Sequence, residues 1–407
     1  MGTRILVVNG GSGSQQLSLF TTQDSKVLEK ESVWEARIDT TAPDQPPGKL
    51  YINVRTPGSN HRLEIDRETT LKQRLEAIIG DLMQGQNHPI TRWDQVGAVG
   101  HRVVHGADQF LRATRLDDSV ESEIERLSAL SPLHNPPQLA AIRALKEVTG
   151  DRVPHYAVFD TAFHRTMPLT ASAYAGPYSW LGEKIRKYGF HGSSFRYVTA
   201  RINALLGPDP ERKMILCHLG GGCSLAAVRG NASIDTTMGF SPLDGVAMCT
   251  RSGAVDPGIL LYLMRQGLDA DRLEKILNKE SGLAGLSGLP GDTRVILPAV
   301  RSGNERAKLA MDVFIHRLRA GIGNMLASLG GCDVLVFTDV IGETEPPIRA
   351  AASAPFAFIG LEIDASNNEN ARGDVEISTP SSKVRVFVVK TLESWQVGQE
   401  TLEALDS

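Results

Sequence analysis

The chain has 407 residues, 41% of them hydrophobic and 22% charged, enough for two domains of ordinary size with a core each. Its formal net charge of −4 argues against a protein built around nucleic acid, leaving room only for a local basic site. No run of about 18 apolar residues occurs and Met1-Gly-Thr-Arg4 leads straight into a strand, so neither a membrane span nor a signal peptide is expected.

Along the chain, Ile5–Val8 reads as a buried strand, Asn9–Ser14 as a glycine turn, and Leu17 and Leu19 alternate with polar neighbours as a returning strand. The same grammar returns about 210 residues later. Ile215–Leu219 is a strand, Gly220-Gly221-Gly222 the turn and Leu225–Val228 the return. Two such units suggest a duplicated architecture, one opening each half. Phe314, Leu318, Ile322 and Leu326 recur at i+4, with Met311, Ile315, Met325 and Leu329 alongside, which predicts a long, largely buried helix. Val334–Phe337 is a buried strand running into a polar turn through Glu343, and Glu345-Pro-Pro-Ile-Arg349 starts a helix with proline in its first turn. Asp364–Asp374 reads as a surface loop, Lys383–Val389 as a late strand and Leu392–Leu405 as a closing helix. The class is α/β. The expected division is an N-terminal domain over 1–155, completed by 392–407, and a C-terminal domain over 156–391. Cys217, Cys223, Cys249 and Cys332 lack metal-ligand spacing and read as reduced thiols of a cytoplasmic protein.

The densest chemistry lies between His218 and Gly253. His218-Leu-Gly-Gly-Gly-Cys-Ser224 is followed by Asp235–Gly245 and by Cys249-Thr-Arg-Ser-Gly253. Tight turns, hydroxyls and one arginine suit a site that grips phosphate through backbone N–H groups and stabilises a moving phosphoryl charge. Neither G-x-x-x-x-G-K-[ST] nor a helix-opening G-x-G-x-x-G is present, so any nucleotide would be held by glycine hairpins.

These segments, together with Gly100-His-Arg-Val-Val-His-Gly106, Leu133-His-Asn-Pro-Pro137, Phe159–His164 and Tyr188–Gly192, resemble the acetate kinase family. Weaker echoes at Ser287–Arg294, Phe337–Glu343 and Lys390–Glu393 extend the likeness from residue 5 to residue 393. The resemblance implies two similar actin-like, ribonuclease H-like α/β domains around a cleft, and a homodimer without nucleic-acid or membrane partners. It also implies ATP- and Mg²⁺-dependent phosphorylation of acetate, or a similar short carboxylate, to acyl phosphate and ADP, with Mn²⁺ as a possible substitute. A carboxylate must approach a polyanion, so cations are needed at the site. By resemblance Arg102 meets the carboxylate, Arg251 and His191 the phosphoryl group, and Asp160 works with the arginines and the metal. Asn9 and Glu393 are implied for the metal. Val104, Leu133, Phe190 and Pro242 form the acyl wall. Ser12, Ser14, Gln16, His218 and Gly220–Gly222 (Gly220, Gly221, Gly222) hold phosphate, while Asp292, Thr293, Arg294, Val340, Gly342 and Glu343 lie near adenosine. His134 serves structure or substrate equally well; His101 and His164 serve structure.

The chain also departs from the family. Gln16 stands where a lysine is usual, Gly221 for asparagine, Phe195 for histidine and Leu392 for asparagine. Asp339-Val340 replaces Ala-Gly, and the valine is expected to narrow the base pocket or to strain its backbone. Three readings therefore stand: an acetate kinase, a carboxylate kinase with another acyl substrate or donor, and a non-catalytic nucleotide-binding relative.

Overall fold

The computed structural model describes residues 2–10, 14–24, 26–39, 48–85 and 88–406. The chain divides into two compact units, Met1–Ala162 with Leu392–Ser407, and Phe163–Thr391.

The first unit is built on a sheet of nine strands among the described residues: β1 (Arg4–Gly10), β2 (Ser14–Asp24), β3 (Val27–Leu28), β4 (Trp34–Asp39), β5 (Lys49–Thr56), β6 (Ser59–Asp66), β7 (Ala98–Val103), β8 (Thr114–Arg115) and β9 (His155–Phe159). Their order is β6-β5-β4-β2-β1-β7-β9-β8, with β3 on β2. Side chains alternate across β1. Leu6 and Val8 join Leu17, Leu19 and the apolar stripe Leu75, Ile78, Ile79 and Leu82 of helix Leu71–Gln84. Ile5 and Val7 face the other way, onto Val397 and Leu402 of the closing helix Glu393–Leu405. That helix seats closely because β7 carries a glycine beneath it: a Cβ on Gly100 would lie 2.2 Å from Thr401 Oγ1.

A buried histidine pair ties β7 to β9. His101 Nε2 lies 2.8 Å from His155 Nδ1, and His155 Nε2 lies 2.9 Å from Thr149 Oγ1. Burial, the neighbouring ring and Lys146 push His101 well below the usual histidine range, and burial with Lys146 brings His155 down to about 4. A base whose folded pKa is depressed gives stability that is present above its unfolded value near 6.5 and lost as pH falls toward 4. At 1.36 kcal/mol per unit, His155 alone accounts for about 3 kcal/mol. The melting temperature is therefore expected to fall between pH 7 and pH 4.5, and His155→Gln to flatten that slope. Parallel curves for the two proteins would mean that the pair does not drive the acid response.

The second unit has β10 (Lys213–Leu219), β11 (Cys223–Arg229), β12 (Ala232–Thr236), β13 (Val334–Thr338), β14 (Val375–Glu376) and β15 (Arg385–Val388), in the order β12-β11-β10-β13-β15-β14. Here β10 pairs antiparallel with β11 and parallel with β13, which pairs parallel with β15. In the first unit β1 pairs antiparallel with β2 and parallel with β7, which pairs parallel with β9. The two glycine hairpins thus open two copies of one topology, and the α/β, duplicated actin-like class holds. The long helix runs Glu305–Leu329, with Met311, Phe314, Leu318, Ile322, Met325 and Leu329 buried and Ile315 and Leu326 half-buried.

Two local expectations change. The expected turn after β13 is a helix, Asp339–Thr344, and the expected loop after Asp364 contains the short helix Ala365–Glu369. The first is pinned from outside its own sequence. Arg349, fully buried, donates to the carbonyls of Gly342 and Glu343 and to the side chain and carbonyl of Asn368. The second is started by Asp364, whose carboxylate caps the Asn367 N–H at 2.7 Å. All four cysteines are free thiols, and no described helix is long and apolar enough to cross a membrane.

Candidate active site

In the first unit the site is organised around Arg102, which β7 carries toward the ends of β1 and β9. Its Nε donates to Asp160 Oδ1 at 2.9 Å and its Nη2 to Asp160 Oδ2 at 2.6 Å, while Nη1 donates to Asn9 Oδ1 at 3.2 Å. Asp160 is fully buried and the Arg102 side chain only 11% exposed. A charge this deep needs a fixed counter-charge, and the bidentate fork supplies both neutralisation and orientation. Asn9 Nδ2 also reaches Ser394 Oγ at 3.4 Å, next to Glu393. Glu393 is the first residue of the closing helix, and its Oε1 is buried without a hydrogen-bond partner among the described residues.

Gln16 pairs with Asn9 across the β1–β2 ladder, and its Nε2 donates to Ser18. Opposed residues share a face of the sheet, so Gln16 lies beside the Asn9 contact to Arg102. Ser14 opens β2, and Ser12 lies outside the described residues. Val104 is buried and its N–H donates to Gln138 Oε1 at 2.9 Å, while Gln138 Nε2 donates to the Gly10 carbonyl at 3.1 Å. One glutamine thus ties the chain after β7 to the end of β1. Leu133 is half-buried just before helix Asn135–Thr149.

In the second unit His191 caps helix Gly192–Leu206 from a left-handed conformation, φ 57°. That is an uncommon state for a residue with a side chain, found where the surroundings impose it. Its Nδ1 is 2.8 Å from Ser224 Oγ, and its ring stacks on His218 at a centroid distance of 4.1 Å. His218 is itself fixed, with Nδ1 at 2.9 Å from Ser194 Oγ and Nε2 at 3.2 Å from Asp339 Oδ2. Phe195 is fully buried and packs edge-on against the His218 ring. Gly222 is the meeting point. A Cβ there would lie 3.3 Å from both His191 Nε2 and Arg251 Nη1, so an imidazole nitrogen and a guanidinium nitrogen converge over a turn that has no side chain. Arg251 Nη1 is aimed by the Pro242 carbonyl at 3.0 Å. A Cβ on Gly220 would lie 1.8 Å from Asp339 Oδ2 and would displace that carboxylate, whereas one on Gly221 would meet nothing within 4 Å.

Phe190 is 1% exposed, and its carbonyl lies 3.0 Å from His164 Nε2, while Ser233 holds His164 Nδ1. Pro242 is buried. The residues expected near adenosine serve mainly to shape backbone. Asp292 caps helix Thr293–Arg301 and pairs with the exposed Arg294, which lowers its pKa. Thr293 donates to Glu345. Glu343, its pKa raised by burial, accepts from the N–H groups of Asp339 and Thr391. A Cβ on Gly342 would press on the Phe337 backbone at 3.2 Å. Val340 is helical and 58% exposed. The strained backbone expected there is not found: the left-handed residue is Asp339, φ 63°. Sequence reasoning missed Ser224, Ser194, Gln138 and Asp339. Two of them had a signal: Ser224 ends the glycine-turn motif that begins at His218, and Asp339 opens the segment that departs from the family pattern.

The model of the acetokinase family matches residues 4–399. The acetate kinase of Rippkaea orientalis is 44% identical over 401 residues, spanning 98% of each chain, and that of Gloeobacter violaceus is 44% identical over 407, spanning 99% of each. Among solved structures, Porphyromonas gingivalis acetate kinase superposes with a TM-score of 0.87 at 35% identity, covering 99% of this chain and 100% of that one. A propionate kinase from Francisella tularensis does so with 0.86 at 32%, covering 98% of each. With the family model matching almost its whole length and relatives sharing over 40% of its residues along that length, this chain belongs to the acetokinase family.

Proposed function

We propose that this protein is an acetate kinase, transferring the γ-phosphoryl group of ATP to acetate, reversibly, to give acetyl phosphate and ADP. A carboxylate oxygen forms the new bond to phosphorus as the bridging oxygen to the β-phosphate leaves with ADP. The observation that carries this reading is the convergence of His191 Nε2 and Arg251 Nη1 over Gly222. Two donors fixed around a bare turn match the need to stabilise spread phosphoryl charge without adding covalent chemistry. Arg102, oriented by Asp160, receives the carboxylate. Ser224 donates to His191 Nδ1 in this reading, which places the ring proton on Nε2, facing the phosphoryl oxygens.

A divalent cation fits the donor set. Glu393 offers a buried carboxylate oxygen without a partner, and Asn9 Oδ1 retains a lone pair beside its bond from Arg102. Among the described residues no group of three or more His, Cys, Asp or Glu gathers around a metal position, which suits Mg²⁺, with Mn²⁺ as a substitute, since Mg²⁺ keeps waters and takes phosphate oxygens. When bound, the ion neutralises phosphate charge. The family resemblance assigns Val104, Leu133, Phe190 and Pro242 to the apolar wall for the acyl group, and one methylene there is worth about 1–3 kcal/mol, so acetate is preferred and propionate tolerated. The family resemblance supports a cytoplasmic homodimer. The deciding assay is acyl phosphate formation from acetate, trapped with hydroxylamine, with ATP, GTP and pyrophosphate compared as donors. Nucleotide binding without turnover in either direction would move the reading to a non-catalytic relative.

The departures make a finer prediction. Gly221→Asn meets open space, and its φ lies outside the left-handed range; Gln16→Lys returns a cation beside Asn9. Each is expected to raise kcat/KM with ATP by about three- to thirtyfold, roughly 0.7–2 kcal/mol. Val340→Gly is expected to change nucleotide kinetics little, because that side chain is exposed on a helix. Unchanged ATP kinetics in both Gln16→Lys and Gly221→Asn would make those departures neutral.

A further inference from the structure

One cavity of the first unit is not explained by acetate. It lies beneath the start of helix Asn135–Thr149, lined by Gln15, His101, Arg102, Leu133, Gln138 and Ala141 among others. Gln138 accepts from the Val104 N–H through its carbonyl and donates one of its two amide hydrogens to the Gly10 carbonyl. His101, 2% exposed, has its Nε2 on His155, and its Nδ1 has no hydrogen-bond partner among the described residues.

The protons of this network can be placed. Thr149 Oγ1 lies 3.0 Å from the Leu145 carbonyl and 3.3 Å from those of Lys146 and Gly150. An oxygen wedged against three carbonyls directs its own hydrogen to one of them, so it accepts from His155 Nε2–H. His155 Nδ1 is then a lone pair and accepts from His101 Nε2–H. What remains at His101 Nδ1 is a bare lone pair in a buried ring held neutral by its surroundings. An unmet buried acceptor costs about 1–3 kcal/mol, so the cavity suits a neutral donor. An anion is disfavoured there by that lone pair and by Pro136 and Pro137, which remove two N–H groups from the first turn of the helix.

We propose that this cavity is a tail subsite of the carboxylate site, selecting short carboxylates whose chain carries a hydroxyl that donates to His101 Nδ1. Leu133 connects the two, since it lines the cavity and belongs to the acyl wall. Water fills the donor role when acetate is bound, and a substrate hydroxyl takes its place. The inference rests on the carboxylate kinase reading, with Arg102 at the carboxylate.

The test compares near-isosteric pairs, glycolate with propionate and 3-hydroxypropionate with butyrate, by ADP release in the full-length enzyme, with acetate as the reference. The hydroxylated member of at least one pair is expected to lead in kcat/KM by about tenfold or more, because a site built to bond a hydroxyl rejects the analogue lacking it. His101→Phe is expected to abolish that lead. Equal or better turnover of both methyl members, in an enzyme active on acetate, overturns the proposal. Failure on acetate itself would instead strike the carboxylate kinase reading. Nitrogen-15 NMR of histidine-labelled wild type gives a check that needs neither variant nor turnover. His101 Nδ1 is expected at the chemical shift of an unprotonated ring nitrogen and to move when 3-hydroxypropionate is added. A protonated Nδ1 overturns the assignment and the proposal with it.

Discussion

Arg251→Ala is expected to lower kcat for acetyl phosphate formation by about 10³-fold or more, in the range seen when an arginine that meets transferring phosphoryl charge is removed. Nucleotide affinity should change far less. The reason is where the charge develops. The side chain is aimed by the Pro242 carbonyl at a point over Gly222 that His191 Nε2 also approaches, and contacts made to the transition state more than to the ground state appear in kcat. Arg251→Lys should recover less than about tenfold, because an ammonium cannot both hold the carbonyl and present a second planar donor. The measurement is steady-state kinetics in both directions, with nucleotide binding followed separately by calorimetry. A loss below about tenfold, worth roughly 1.4 kcal/mol, would remove Arg251 from the chemical step.

How much of this could be read from the sequence depended on the range of the interaction. The hairpins at Asn9 and Gly220 were legible because glycine turns between apolar runs are local signals, and the helix ending at Leu329 because its apolar period is local too. The charged side chains of the candidate site were legible as types: Arg102 stands in an apolar strand, where a guanidinium needs a counter-charge. That its partner is Asp160 was not, since 58 residues separate them and only the parallel pairing of β7 with β9 brings them together. The helix at Asp339 was misread for the same reason. Asp-Val-Ile-Gly-Glu-Thr has three β-branched residues and a glycine, and its fold is set by Arg349 reaching back to the carbonyls of Gly342 and Glu343. The strain expected at Val340 lay one residue earlier, at Asp339, beside the glycine turn that its carboxylate approaches. Gln138 gave no sequence signal at all, being one polar residue on an amphipathic helix.

The Arg102–Asp160 fork carries the second large effect. Arg102→Ala is expected to lower kcat/KM for acetate by about 10³-fold, since it removes the cation that brings a carboxylate up to a polyphosphate. Asp160→Asn keeps the shape but loses the charge and one acceptor of a two-point bond. It should cost about 10²-fold, because Arg102 then stays present and loses its orientation. The pair acts as one unit, so the double variant should be little worse than Arg102→Ala alone. Folding has to be checked in parallel. Asp160 is fully buried, and removing one partner of a buried pair destabilises by about 3–5 kcal/mol, whereas losing both leaves no uncompensated charge. The double variant is therefore expected to melt at a higher temperature than Asp160→Asn. If the two activity losses instead multiply, Asp160 serves the reaction independently of Arg102, and the proposed bound cation near Asn9 and Glu393 becomes the group it acts through.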